Sequence, residues 1–345
     1  MTGTRAGLLR GTEDAAVNRD STTPRRAVFG SWPTPLEPAP RLARALGLGA
    51  DDLWVKRDDL TGLGGGGNKV RKLEWLCGAA LADGATALVT TGGPQSNHAR
   101  LTAAAGARLG LDVVLVLAGA PGSSTSGNLA LDGLLGATVV WAGAAGPSEL
   151  GSAAEQAAEE LRKSGAVPAV IPFGGSSVLG AHGYAECGAE LLDQAPDLAT
   201  VVTALGSGGT MAGLIDPLGA ERVLGVHCGA VPDPAGTVSE LASGLTGSHC
   251  PPESLRVRLD QVGAGYGALT EPVMAAMTLA ARTEGLILDP TYTGRAMAGL
   301  IAAVEEGDIR AGQRTVFLHT GGLPGLFGHP AAVARAQAAT GTDGP

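Results

Sequence analysis

From Ala87 onward the chain alternates short apolar runs with segments of helical periodicity, and nothing else in it constrains the fold as much. Ala87–Thr91, Val113–Leu117, Thr138–Trp141, Ala169–Pro172, Thr200–Leu205, Val223–Cys228 and Thr315–His319 read as strands. Among them, His98–Leu109, Asn128–Leu135, Glu149–Ser164, Val178–Leu192, Thr270–Thr283 and Arg295–Glu305 read as helices. Strands alternating with helices imply an α/β fold with parallel, doubly wound sheets. A chain of 345 residues exceeds the ~250–300 that one core supports, so two lobes are expected. Ligands of such sheets bind at the carboxyl ends of the strands, so the loops there are site loops. Upstream, Leu53–Arg57 reads as a strand, Leu42–Leu48 as a short helix and Phe29–Pro40 as an extended, proline-rich segment. Residues 1–28 lack periodicity and are expected to form a mobile arm.

Composition removes several classes. The net charge of −9 argues against a nucleic-acid partner, which wants a basic footprint. No apolar run reaches the ~20 residues of a membrane span, and the first twenty residues lack a signal-peptide core. The four cysteines show no paired metal spacing and the six histidines are scattered, so we expect reduced thiols, a cytoplasmic location and no metal.

Lys69 has an unusual setting. It follows Gly64 to Gly67 and Asn68, and past it Val70, Leu73, Leu76, Cys77, Ala80 and Leu81 recur at helical spacing. A glycine loop thus turns into an amphipathic helix at this lysine. Its cationic neighbours Arg71 and Lys72 tend to lower its pKa, and a lysine that sheds its proton suits Schiff-base chemistry. A lysine on a solvated helix face is the competing reading. Gly62, Gly64 and Gly67 formally match G-x-G-x-x-G. A dinucleotide fingerprint follows its strand directly, however, and here Asp58, Asp59 and Thr61 intervene.

Thr91–His98 (TGGPQSNH) places Ser96 and Asn97 before a helix. They either cap it or let its free N–H groups bind a carboxylate while Asn97 bonds a ligand oxygen. Ala204–Thr210 (ALGSGGT) offers Gly206, Ser207, Gly208, Gly209 and Thr210 as a phosphate cradle. It lacks the GK[ST] of a nucleoside-triphosphate loop, and a plain turn is the alternative. Tyr266 in GAGYG and Tyr292 in LDPTYTG lie in loops; either could instead be a core tyrosine.

A lysine on a glycine loop, a separate phosphate cradle and polar loops at strand ends point to pyridoxal 5'-phosphate. The combination resembles the fold-type-II pyridoxal enzymes, the tryptophan synthase β-chain class. Within that class it is similar to the D-cysteine desulfhydrase / 1-aminocyclopropane-1-carboxylate (ACC) deaminase family. The likeness covers roughly residues 29 to 330 and rests on GGNKVRKLE, GGPQSNHARLTAAAGARLG, IPFGGSSVLGAHGY, GSGGTMAGL, GAGYG, LDPTYTGRAMAGL and HTGGLPGLF. It implies a large cofactor-binding domain of residues 29–73 and 179–345, a small α/β domain of residues 74–178, and a homodimer.

By the same resemblance Lys69 is the Schiff-base lysine and Asn97 bonds the cofactor's phenolic oxygen. Ser96, with Asn97 and His98, binds near the substrate carboxylate. Gly206 to Thr210, with Lys72, hold the phosphate, Tyr266 and Tyr292 flank the substrate, and Thr293 and Thr320 sit near the pyridine nitrogen. ACC deaminases carry glutamate where this chain has Thr293, and glutamine where it has His98. A hydroxyl partner leaves the ring nitrogen less basic, which suffices for β-elimination but not for ring opening. The expected substrate is therefore a β-substituted amino acid, first D-cysteine, cleaved to pyruvate, hydrogen sulfide and ammonia. L-cysteate sulfo-lyases and biosynthetic β-eliminases or β-replacement enzymes remain alternatives. A pyridoxal-carrying or nucleotide-binding protein without turnover is the reading from another class. The alanine-lacking HTGGLPGLF departs from the family pattern.

Overall fold

The computed structural model describes residues 26–124 and 126–339. The chain opens with β1 (Leu36–Pro38), α1 (Pro40–Ala45), β2 (Leu53–Lys56) and α2 (Lys69–Ala82). Next come β3 (Ala87–Gly92), α3 (Asn97–Leu109), β4 (Asp112–Leu117), α4 (Asn128–Leu134), β5 (Thr138–Trp141), α5 (Pro147–Lys163) and β6 (Pro168–Val170). It continues through α6 (Val178–Gln194), β7 (Leu198–Leu205), α7 (Gly209–Leu218), β8 (Val223–His227), α8 (Pro234–Thr246) and β9 (Arg256–Arg258). The last elements are α9 (Glu271–Glu284), α10 (Thr293–Glu305), β10 (Arg314–Leu318), α11 (Leu323–Phe327) and α12 (Pro330–Ala338).

These strands form a six-stranded sheet, ordered β1-β2-β10-β7-β8-β9, and a four-stranded sheet, ordered β5-β4-β3-β6. Every strand pair is parallel except β1 with β2. Successive strand residues serve opposite faces, which is why the strands read as unbroken apolar runs. In β7, Val202 packs with Val273, Met297 and Leu300, while Val201 packs with Leu191, Met211 and Leu214. In β3, Leu88 faces Leu73 and Leu101, while Val89 faces Leu150, Ala154 and Ala158. Both sheets are therefore covered on both sides. The α/β fold with two doubly wound, mainly parallel sheets stands as expected.

Three details differ. The helix α8 was not expected, although Asp233 caps it through Gly236 N at 2.9 Å and proline follows at its first position. Neither β9 nor α12 was expected. The arm expected over residues 1–28 lies outside the described residues up to position 25. Residues 26–28 are docked: Ala27 N donates to Glu74 O at 2.8 Å, and Arg26 pairs with Glu74 and Glu186.

Candidate active site

The loop before α2 is built from backbone conformations that favour glycine. Gly64, Gly65, Gly66 and Gly67 all have positive φ, and a Cβ on Gly66 would lie 2.0 Å from the Asp59 carbonyl oxygen. Arg100 holds this loop from outside, donating from Nη1 to Gly64 O at 2.7 Å and to Gly66 O at 2.9 Å. The loop delivers Lys69 as the first residue of α2, where its Nζ meets Asn68 Oδ1 at 3.2 Å. Lys69 forms no ion pair among the described residues. Burial lowers its pKa to about 8; the Arg100 charge adds to the fall, and the Asp289 carboxylate opposes it.

The expected effect of Arg71 on Lys69 is corrected here. Arg71 leaves the opposite side of the helix and is bound by Asp58 and Glu190, so the depression comes from burial and Arg100. Lys72 stays on the Lys69 face, three residues on. Its Nζ donates to Ser176 Oγ at 3.0 Å, and its pKa is pushed well down by burial and then by the Lys69 charge.

Both lysines line a cleft at the carboxyl ends of β3, β7 and β10. The loop after β3 contributes Ser96, Asn97 and His98, the loop after β7 contributes Gly206, Ser207, Gly208 and Thr210, and Thr320 follows β10. Ser96 caps α3, its Oγ accepting from Ala99 N at 3.1 Å. His98 Nε2 meets Thr90 Oγ1 at 3.0 Å, and that hydroxyl donates to Ile171 O at 2.9 Å. The Thr90 hydroxyl therefore ties the His98 ring to the end of β6, beside the backbone of Pro172. Burial, then the two lysine charges, hold His98 neutral.

Gly208 has φ +86° and precedes α7; Ser207 Oγ and Ser176 Oγ lie 2.7 Å apart beside it. Gly209 stands behind the lining, and a Cβ there would come within 2.9 Å of Lys72 Nζ. Tyr292 lines the cleft and shares a hydroxyl–hydroxyl hydrogen bond with Tyr266, the rings meeting edge-on at 5.9 Å. Tyr266 lines the adjoining vestibule with Ser96, Ser123 and Ser126. Burial pushes the Tyr266 hydroxyl up to about 12 and, with Tyr266 beside it, the Tyr292 hydroxyl well above its ordinary value, so both stay phenols.

Thr293 departs from expectation. It is fully buried, does not line the cleft, and spends its hydroxyl on Asp289 Oδ1 at 2.7 Å. Asp289 in turn accepts from the backbone N–H groups of Thr291, Tyr292 and Thr293, fixing the start of α10. Of the two threonines expected near the ring nitrogen, Thr320 lines the cleft. Ser176, Arg100, Asn128 and Asp289 were missed. Ser176, Arg100 and Asp289 lie within the motifs and Asn128 outside them; only Asp289, three residues before Tyr292, had a local capping signal, the partners of the others being distant in sequence.

A part-buried Lys69 beside an amide oxygen and a buried Lys72 beside a serine hydroxyl, with no carboxylate on the lining among the described residues, fit a phosphorylated, aldehyde-bearing cofactor. Residues 28–321 match the model of the family described as pyridoxal-phosphate dependent enzyme, and the chain belongs to that family. Within it, this is a fold-type-II enzyme of the D-cysteine desulfhydrase / ACC deaminase family. A D-cysteine desulfhydrase of Klebsiella pneumoniae (strain 342) is 40% identical over 326 residues, covering 89% of this chain and 97% of that protein. A protein of Pyrococcus abyssi, provisionally named ACC deaminase, is 41% identical over 310 residues, covering 86% and 91%. The crystal structure of an ACC deaminase homologue superimposes with a TM-score of 0.81 at 36% identity, covering 91% of this chain and 96% of that one.

Proposed function

We propose that the enzyme catalyses β-elimination from a β-substituted amino acid, with D-cysteine the first choice: D-cysteine and water give pyruvate, hydrogen sulfide and ammonia. The carrying observation is that no aspartate or glutamate among the described residues lines the cleft. Lys69 would then be the base, and Thr320 would offer the cofactor's ring nitrogen a hydroxyl rather than a carboxylate. Bound pyridoxal phosphate supplies the electron sink for the pair left when the Cα proton departs. Lys69, held near pKa 8, takes that proton at Nζ. The start of α3, with Ser96, Asn97 and His98, holds the substrate carboxylate on backbone N–H groups. Tyr292, with Tyr266 behind it, gives a proton to the departing thiolate sulfur. Gly206, Ser207, Gly208, Gly209 and Thr210, with Lys72, hold the phosphate. The released aminoacrylate hydrolyses to pyruvate and ammonia.

A sulfonate substituent is less well served, because the lysines and arginines on the lining among the described residues are Lys69 and Lys72. A panel of D- and L-β-substituted amino acids plus ACC, assayed for keto acid, tests the reading. Pyruvate and sulfide from D-cysteine are expected. Efficient 2-oxobutyrate from ACC would make ACC deaminase the better name, and no turnover at all would favour a non-catalytic role.

The same reading includes a large domain of residues 29–73 and 179–345, a small one of 74–178, and a homodimer. The groove of Met274, Leu286, Ile287 and Leu326, with exposed Phe327 nearby, supports association of two chains. Light scattering at twice the chain mass is expected. No helix among the described residues is long and apolar enough to cross a membrane.

A further inference from the structure

Asn128 opens α4, is fully buried, and belongs to none of the loops that line the cleft. Its Oδ1 accepts from Arg100 Nε at 3.1 Å, and a guanidinium only donates. Its Nδ2 donates to the backbone oxygen of Gln95 at 3.0 Å, and a carbonyl only accepts. Flipping this amide would set donor against donor and acceptor against acceptor, so its orientation follows from chemistry. The remaining N–H goes to Asn97 Oδ1 at 2.9 Å. With its oxygen occupied, Asn97 has its own N–H groups left as the polar edge available to the cleft. The backbone N of Asn128 donates to Gln95 Oε1 at 3.0 Å, which pins the residue from a third side. Arg100 also holds Gly64 and Gly66, so the loop that carries Lys69 and the amide of Asn97 are referenced to one buried arginine.

We propose that Asn128 is a positioning residue: it fixes the side-chain amide of Asn97 so that an N–H donor, not an oxygen, meets the phenolic oxygen of the cofactor. This rests on the reading that Asn97 contacts that oxygen. A donor there stabilises the unprotonated, anionic form of the cofactor chromophore and lowers the pH midpoint of its visible absorbance. In Asn128→Asp the acceptor for Arg100 remains but the donor to Asn97 is gone, and Asn97 turns its N–H groups toward the new carboxylate. Asn128→Leu removes the donor without adding charge. In both holoenzymes the absorbance midpoint rises by about one unit, and cofactor affinity, measured by fluorescence on the stripped protein, falls ~10-fold. Asn97→Ala reports on the underlying reading and raises the midpoint too. A shift in Asn97→Ala with none in either Asn128 variant overturns the proposal and leaves Asn97 in place. No shift in any of the three overturns both. A merely structural Asn128 lowers Tm without moving the midpoint, which also overturns it. Should the Asn128 variants not fold, neutron diffraction of the wild-type holoenzyme decides. Deuterons on the Asn97 atom facing the phenolic oxygen support the proposal, and a bare oxygen there refutes it.

Discussion

The two sides of α2 handle buried positive charge in opposite ways. On the back, Arg71 binds Asp58 at 2.8 and 3.0 Å and Glu190 at 2.8 Å through both terminal nitrogens, and it lies 4.1 Å over the ring of Trp32. Lys56 joins through Glu190 at 2.7 Å, and Tyr184 donates to Asp58 at 2.6 Å. Burial alone would raise the Asp58 carboxyl, but the Arg71 guanidinium overcomes it and holds the carboxyl below the usual range. On the front, the partners of Lys69 and Lys72 among the described residues are amide, hydroxyl and carbonyl oxygens. An isolated buried charge is costly and a paired one much less so. A helix that neutralises its cations on one face and leaves them without acids on the other therefore marks the second face as the place for an anion.

The hardest test of that contrast is Lys69→Ala. The variant should keep cofactor through Lys72 and the loop of Gly206–Thr210, yet lose elimination by about 10⁴-fold, the upper range for a general base. Borohydride reduction of the wild type, followed by peptide mapping, should place the adduct on Lys69. An adduct on Lys56 or Lys72, or substantial residual turnover, would break the assignment. Next in size is the back face. Arg71→Met leaves Asp58 and Glu190 without their shared partner and should cost about 3–5 kcal/mol of stability, read from urea unfolding. A loss below about 1 kcal/mol would mean the network holds without its arginine. Smaller again is Gly208→Asp, which sets a carboxylate at the phosphate cradle. It should weaken cofactor retention ~100-fold, while Gly208→Ala, sharing the cost of φ +86° without the charge, should lose less. Equal losses would move the phosphate elsewhere.

How much of this was legible depended on how local each signal was. The alternation of strands and helices, the glycine run and the capping serine are local, and the sequence periodicity placed most of them within a few residues. Lys69, Asn97, Gly208 and Tyr292 sit where loops of telling composition meet helices, and the fold brings them to one cleft. What stayed hidden was direction. Arg71 and Lys72 are adjacent in sequence, yet one faces Asp58 and the other Ser176, because a helix turns by about 100° per residue. Thr293 was expected at the cofactor ring. Four residues separate it from Asp289, which takes its hydroxyl, and no pattern says whether that hydroxyl turns inward or back. Asn128 reaches Asn97 across 31 residues, a contact only the packing of α4 on α3 creates.

The last effect is also the most direct measure of the front face. Lys69→Met removes a buried ammonium and keeps the aliphatic stem, so cofactor-stripped protein should become more stable, whereas Arg71→Met loses stability on the same helix. The Lys69 pKa lies at about 8 in the folded chain against an ordinary 10.5. Between those values the unfolded chain binds more protons than the folded one, so wild-type stability rises with pH across that window. Below pH 8 both states are protonated and the full cost of the buried charge is present; near pH 10.5 both approach neutrality and the cost vanishes. The variant's advantage should therefore be roughly 3 kcal/mol at pH 7 and shrink toward zero by pH 10.5. Paired unfolding curves of stripped wild type and variant at several pH values measure it. An advantage that stays constant with pH would show that Lys69→Met acts through packing, and a loss of stability would show that Lys69 already has an anionic partner in the empty protein.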